Sequence, residues 1–295
     1  MGCIKVKKSD FNLLYDDNTV FINSQWKCLP TLVFVLYRVI LALYFIGWCL
    51  YSMISSIIGS GGKYFTYLTN WGFMTITAYL VTASSTTIYF HANKKFKGQK
   101  DGSKNRHTPW YFMLSWLLYN ISAIVAPVVT LIYWAALYQG YGIEVHDFHV
   151  HAVNFIAMAL EVAVSAMPVR YVHVIYPLIY GICYMTFTLI YWGITGNVVY
   201  AILDYSDNPG LATASIFGCF FLILIFQLLL WAVFKLKLKL STSERNTVSD
   251  VAVTVETDTW EDSSGKSGFE NPLMTTATQC DMEDENMNAT KQQRL

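Results

Sequence analysis

The sequence predicts an all-α integral membrane protein. It is read as a bundle of six transmembrane helices with both termini cytosolic and a disordered acidic C-terminal tail. Three observations predict this. Of the 295 residues, 54% are hydrophobic and 14% charged, whereas soluble domains carry about 25% charged residues. The charges are also segregated, leaving several nearly uncharged stretches of roughly 20 residues, the length that crosses the hydrocarbon core. Finally, Lys and Arg collect in alternate connecting segments, as the positive-inside rule requires.

The organisation follows in chain order as a cytosolic arm (1–30), a six-helix domain (31–240) and a tail (241–295). The first apolar run begins near Thr31, after a polar stretch too long for a signal peptide, so the first span is expected to be its own insertion signal. The spans are placed at about 32–57, 67–90, 112–136, 149–167, 172–195 and 211–234. Basic residues mark the arm (Lys5, Lys7, Lys8, Lys27), the second loop (Lys94 to Arg106), the fourth (Arg170) and the segment after the last span (Lys235, Lys237, Lys239). The first loop has Lys63 alone, and the third and fifth carry acids instead, Glu144 and Asp147, then Asp204 and Asp207. The tail holds eleven acidic and four basic residues and little bulky apolar surface, a composition that predicts disorder.

Six cysteines are present, in spans (Cys49, Cys183, Cys219) or in segments read as cytosolic (Cys3, Cys28, Cys280). No structural disulfide is expected there. The chain opens MGCIKVKK, which resembles the doubly acylated start of Src-type kinases, with Gly2 and Cys3 as the lipidation positions and Val6 where Ser or Thr is usual. A plain basic arm is the alternative reading. No cofactor and no nucleic-acid partner is expected.

Two ionisable residues fall inside spans. Arg38 lies about two turns into span 1, and Glu161 lies at a similar depth in span 4. A charge at the bilayer centre costs roughly 3 kcal/mol on insertion scales, so pairing of Arg38 with Glu161 is the economical expectation. A proton path would need more acidic groups along the bundle. Three histidines, His146, His149 and His151, crowd the start of span 4. His151, Asn154, Met158, Glu161 and Ser165 share one helical stripe, expected to face the bundle. His149 and His151 point to different sides, so no metal site is expected.

Residues 63–73, KYFTYLTNWGF, place Thr66, Thr69 and Asn70 at the same outer boundary. Two readings stand side by side. Thr66 or Thr69 could serve as a nucleophile with His151 as its general base, supported by Asn70, His149 and Asn154. Equally, these residues could form a polar cap and interhelical hydrogen bonds, as Thr commonly does between membrane helices.

The runs LYRVILALYFIGWCLYS, GGKYFTYLTNWGF and HAVNFIAMALEVAVSAMPVRYVHVIYPLIYGICYMTFTLIYW resemble the rolling stone family of multipass membrane proteins, across most of residues 26–235. That resemblance implies a plasma-membrane protein linked to myoblast fusion. The outer loops are short, so membrane-protein partners or a second copy are expected to meet it within the bilayer or at the tail. KYFT and HAVNFIAMALE also resemble the androgen-induced hydrolase family. This second likeness implies a threonine hydrolase of lipid esters such as fatty-acid esters of hydroxy fatty acids. It places the histidine at His151 and the threonine at Thr66 or Thr69, with membrane lipids around the site and a lipid ester as substrate.

Overall fold

The computed structural model describes residues 8–92, 108–138, 140 and 145–261, with side chains described as far as 242. The expectations for Gly2, Cys3, Cys280, Glu144 and the lysine-rich loop 93–107 lie outside the described residues. Among the described residues, six helices of more than ten residues form: α1 (Thr31–Ser60), α2 (Leu68–Ala92), α3 (Trp110–Ile132), α4 (Asn154–Val164), α5 (Ile175–Thr195) and α6 (Pro209–Glu261). Among the described residues there is no strand, and an isolated bridge joins Ser24 to Ser165.

Each helix boundary has a local cause. Gly61 and Gly62 end α1 with φ of 62° and 91°, a region closed to most side chains. Gly196 ends α5 at φ 70°, its N–H donating to Trp192 O. Pro127 sits inside α3; lacking an N–H, it cannot bond the carbonyl one turn back. Further on, α3 widens into a π turn, Tyr133–Leu137, and a second π turn, Phe148–Val153, leads into α4.

Among the described residues, five segments are long and apolar enough to cross a membrane: Thr31–Gly59, Trp110–Leu137, Val145–Val164, Tyr171–Thr195 and Pro209–Thr242. α2 has the length but is rich in Thr and Ser, and its buried face carries Thr69, Asn70, Ser84, Thr86 and Thr87. α3 is the most enclosed span, with 72% of its window buried. Phe45, Phe73, Ile76, Tyr79, Trp116 and Tyr119 form the centre of the core around α2 and α3. Leu36, Ile40 and Leu43 on α1 and Phe217, Phe221 and Leu228 on α6 are exposed. Such apolar faces suit lipid tails, which are as apolar as the side chains they meet.

The polar arm is built into the bundle. Phe21 is fully buried and stacks on Phe112 at 5.0 Å. Tyr15 N–H donates to Thr108 Oγ1, and burial beside Asp17 pushes the Tyr15 phenol up from its ordinary value. Gln25 Nε2 donates to Ser241 Oγ at 2.9 Å. Residues 25 and 241 therefore meet at the same end of the bundle.

The chain divides into two units, 1–242 and 243–295. In the second, residues 243–261 are helical. No Gly or Pro interrupts the sequence between Gly218 and Gly265, so nothing local stops the helix. The remainder of the tail lies outside the described residues.

A Cβ added at Gly72 would lie 3.0 Å from Val125 Cγ1, where α2 meets α3, whereas Gly47 on α1 has nothing within 4 Å. Gly72→Leu is therefore expected to destabilise the bundle by about 1–3 kcal/mol, and Gly47→Ala to leave it unchanged, read by thermal unfolding of the purified protein in detergent.

Candidate functional site

Two polar centres lie inside the bundle. In the first, Arg38 and Glu161 are both wholly buried, and Arg38 Nη2 donates to Glu161 Oε1 at 2.6 Å. Arg38 Nη1 donates to Phe21 O of the arm and to Thr87 Oγ1 of α2, each at 2.8 Å. Tyr79 Oη donates to the same carboxylate oxygen at 2.7 Å. The guanidinium also lies 4.5 Å from the Phe34 ring centroid. α1, α2, α4 and the arm thus converge on two charges. Burying a pair this deeply is costly unless its members are hydrogen-bonded; all the bonds to the carboxylate fall on Oε1, and Glu161 Oε2 and Arg38 Nε are buried without a hydrogen-bond partner.

Just below Glu161, the end of α4 is capped in an unusual way. The last carbonyls of a helix have no partner within it. Here Lys237 Nζ donates to Val162 O and, at 2.7 Å, to Ser165 O. Trp26 Nε1 takes Ala163 O, and Gln25 N–H and Ser24 Oγ take Val164 O, all at 2.9 Å. The following connector is buried at Ser165, Met167 and Val169, and Arg170 ties it to the arm through Asn12 O and Leu14 O, both at 2.8 Å.

Sequence reasoning placed Lys237 among three basic residues after the last span and did not foresee that its side chain is 5% exposed. The signal was present: Lys235 and Lys239 share a helix face, and Lys237 points away from both. Tyr79 and Thr87, the other partners of the ion pair, carried no sequence signal that separates them from ordinary core residues.

The second centre lies at the far end of α2. Thr66 closes a short 3-10 turn, Lys63–Thr66, and its Oγ1 donates to Lys63 O at 2.8 Å. Thr69 is buried on the first turn of α2. Asn70 Nδ2 donates to Tyr64 O at 2.8 Å and so fastens the 3-10 turn to the helix. Leu68 N–H donates to both Tyr184 Oη and Tyr200 Oη at 3.0 Å, and Tyr184 Oη donates to Thr66 O at 2.9 Å. Burial pushes the phenols of Tyr64 and Tyr200 up, so both stay protonated donors at neutral pH.

His151 is 6% exposed, and its ring stacks on Tyr133 with centroids 3.4 Å apart. Thr130 Oγ1 donates to His151 O, and His151 Nδ1 is buried without a partner. His149 turns the other way, onto Trp48 of α1 at 3.8 Å, with Nδ1 2.6 Å from Val145 O. Asn154 Nδ2 donates to Val150 O. Among the described residues no hydrogen bond joins His151 to Thr66 or Thr69. Thr69 and Tyr133 do line one cavity, which Tyr184, Met185, Tyr200 and Cys219 also border. Among the described residues no group of His, Cys, Asp and Glu could hold a metal ion.

A bundle of long apolar helices tied by a fully buried ion pair defines a multipass helical membrane protein. The family profile described as "Protein rolling stone" matches residues 3–255, and the chain belongs to that family. It is similar to Protein rolling stone of Drosophila melanogaster, 29% identical over 246 residues that cover 79% of this chain and 88% of that protein. No solved structure matches.

Tyr79→Phe removes a hydrogen bond to a buried carboxylate and is expected to cost about 1.5–3 kcal/mol. Thr87→Val removes an acceptor of the guanidinium and should fall in the same range. Both are measurable as lower unfolding midpoints in detergent.

Proposed function

We propose that this chain works at the plasma membrane in cell–cell fusion or differentiation, through contacts made within the bilayer. The N-terminal arm and Lys237 end of the bundle faces the cytosol in this reading, as the distribution of Lys and Arg requires. Membership of the rolling stone family carries the reading. The structure supports it in one respect. The segments between α1 and α2 and between α5 and α6 are short, 61–67 and 196–208, too small to fold as separate adhesion modules. Partners, or a second copy, would then be met along the exposed helix faces.

A specific observation favours a second reading, a threonine hydrolase of lipid esters. Thr69 and Tyr133 border one cavity, and His151 stacks on Tyr133 with a ring nitrogen left unpartnered. In this reading the Thr66 or Thr69 oxygen attacks the ester carbonyl while His151 takes the hydroxyl proton; the C–O bond to the alcohol then breaks as His151 returns that proton to the leaving oxygen, and water hydrolyses the acyl-threonine ester. The Thr66 hydroxyl would first have to leave Lys63 O, and a closer approach of α2 and α4 would bring histidine and threonine within reach.

One comparison separates the readings. Fusion-competent cells that normally express the chain would be depleted of it and then supplied with wild type or with the Thr66→Ala, Thr69→Ala, His151→Ala triple variant. Content mixing would be scored alongside labelling by a fluorophosphonate probe. Rescue by the triple variant with no probe labelling of wild type is the expected result of the first reading. Labelling of wild type that is lost in a threonine variant and in His151→Ala would establish the second. Unchanged fusion on depletion would sink the first.

A further inference from the structure

Around the Arg38–Glu161 pair lies a set of polar atoms that the protein leaves without partners. Glu161 Oε2, Arg38 Nε, Tyr37 Oη, Tyr119 Oη and Ser165 Oγ are all buried, and none has a hydrogen-bond partner. Glu161, Arg38, Tyr119 and Ser165 are wholly enclosed. Buried polar groups are nearly always hydrogen-bonded, to protein or to ordered water. Orphans gathered at one place therefore need a physical cause.

These atoms are neighbours. Tyr79 Oη, bonded to Glu161 Oε1, belongs to a ring whose centroid is 5.5 Å from that of Tyr119. The Tyr119 hydroxyl lies beside Ser165 and in the field of Glu161, and the Tyr37 hydroxyl lies against Glu161. Ser165 N–H donates to Glu161 O at 2.9 Å, which sets Ser165 one turn beyond Glu161. On α3, Ser115 and Ser122 share the face of Tyr119, and their hydroxyls are also buried without partners. Direct bonds hold α3 on either side of this polar seam. Trp116 Nε1 donates to Pro168 O at 2.7 Å, and Thr130 Oγ1 donates to His151 O. Between them, polar groups that lie side by side make no direct bond, the arrangement that a bridging water closes.

Charge limits what can occupy the seam. Lys237 also lies in the field of Glu161 and, with Arg38, sets two cations about one carboxylate. A metal ion would add a third positive charge, and an anion would face the carboxylate. The occupant is therefore neutral. It must donate to Glu161 Oε2, since an ionised carboxylate only accepts, and it must accept from Arg38 Nε–H, since a guanidinium only donates. Water does both and is the smallest group that can. Folded proteins hold roughly one buried water per 27 residues, each with about three hydrogen bonds to groups left otherwise unsatisfied.

We infer that the seam between α3 and α4 is a binding site for enclosed water, which bridges Glu161 Oε2 to the hydroxyls of Tyr119 and Ser165. The water serves the carboxylate oxygen that protein donors do not reach. It also ties α3 to an ion pair whose direct bonds come from α1, α2, α4 and the arm.

The test uses the full chain and two readouts. Tyr119→Phe and Ser165→Ala each keep the packing and remove one hydroxyl. With water in the seam, each change strands a hydrogen bond and should lower the unfolding midpoint in detergent by roughly 2–4 °C. Removing a hydroxyl that has no partner would leave the midpoint unchanged or raise it, and either result overturns the inference. The second readout is a crystal structure fine enough to show ordered water, with crystals also soaked in thallium(I) as a probe for monovalent cations. The expected result is a density peak within hydrogen-bond reach of Glu161 Oε2 and of Tyr119 Oη or Ser165 Oγ, lost or displaced in Tyr119→Phe and without anomalous signal. A direct bond between Tyr119 and Ser165 with no peak at Glu161 Oε2 overturns the inference. An anomalous thallium peak in the seam does so as well, since the site would then bind a cation.

Discussion

A charge inside a bilayer has no bulk water to turn to, and Arg38 and Glu161 are both completely enclosed. Each must therefore find its partners in the protein. The guanidinium meets a carboxylate, a threonine hydroxyl and a main-chain carbonyl, and the carboxylate also accepts from a tyrosine. Those partners lie on four separate parts of the chain. Helices with apolar faces can slide or rotate against one another at little cost in lipid. A shared ion pair removes that freedom, because any shift of α1 or α4 strands a buried charge. The register of the bundle follows from this constraint.

The same constraint explains the arm. Polar chain from residue 8 to residue 30 would ordinarily lie in solvent. Here the carbonyl of buried Phe21 completes the shell of Arg38, and Ser24, Gln25 and Trp26 supply donors to the exposed end of α4. Lys237 supplies the remaining donors. A cation at a helix C-terminus is favoured by the helix dipole as well as by hydrogen bonding. A buried connector such as 165–169 is uncommon, since its backbone groups need partners. The arm, Lys237 and Arg170 provide them.

The helical spans were legible in the sequence because segregation of charge and length are membrane signals that need no tertiary information. α2 was legible by length alone; its Thr and Ser residues belong to the protein interior. The stripe from His151 to Ser165 was legible from helical spacing, and all five of its members are buried. The burial of Lys237 was not legible, because its basic neighbours make it read as one of a solvated boundary cluster. Tyr133, Tyr184 and Tyr200 were not legible at all. Their roles arise from contacts across 18 or more residues of sequence, Tyr133 with His151 and Tyr184 with Leu68, and a membrane chain with 20 tyrosines offers no way to pick them out.

The most direct test of the central claim is a double-mutant cycle on the ion pair, with Arg38→Met, Glu161→Met and the two combined, read as unfolding free energy in detergent. Each single change should cost about 3–5 kcal/mol, because it leaves the opposite charge buried and alone. The double variant should recover much of that loss, giving a coupling of at least about 2 kcal/mol. Single costs that simply add in the double variant would contradict the account, since the two charges would then be held by their surroundings and not by each other.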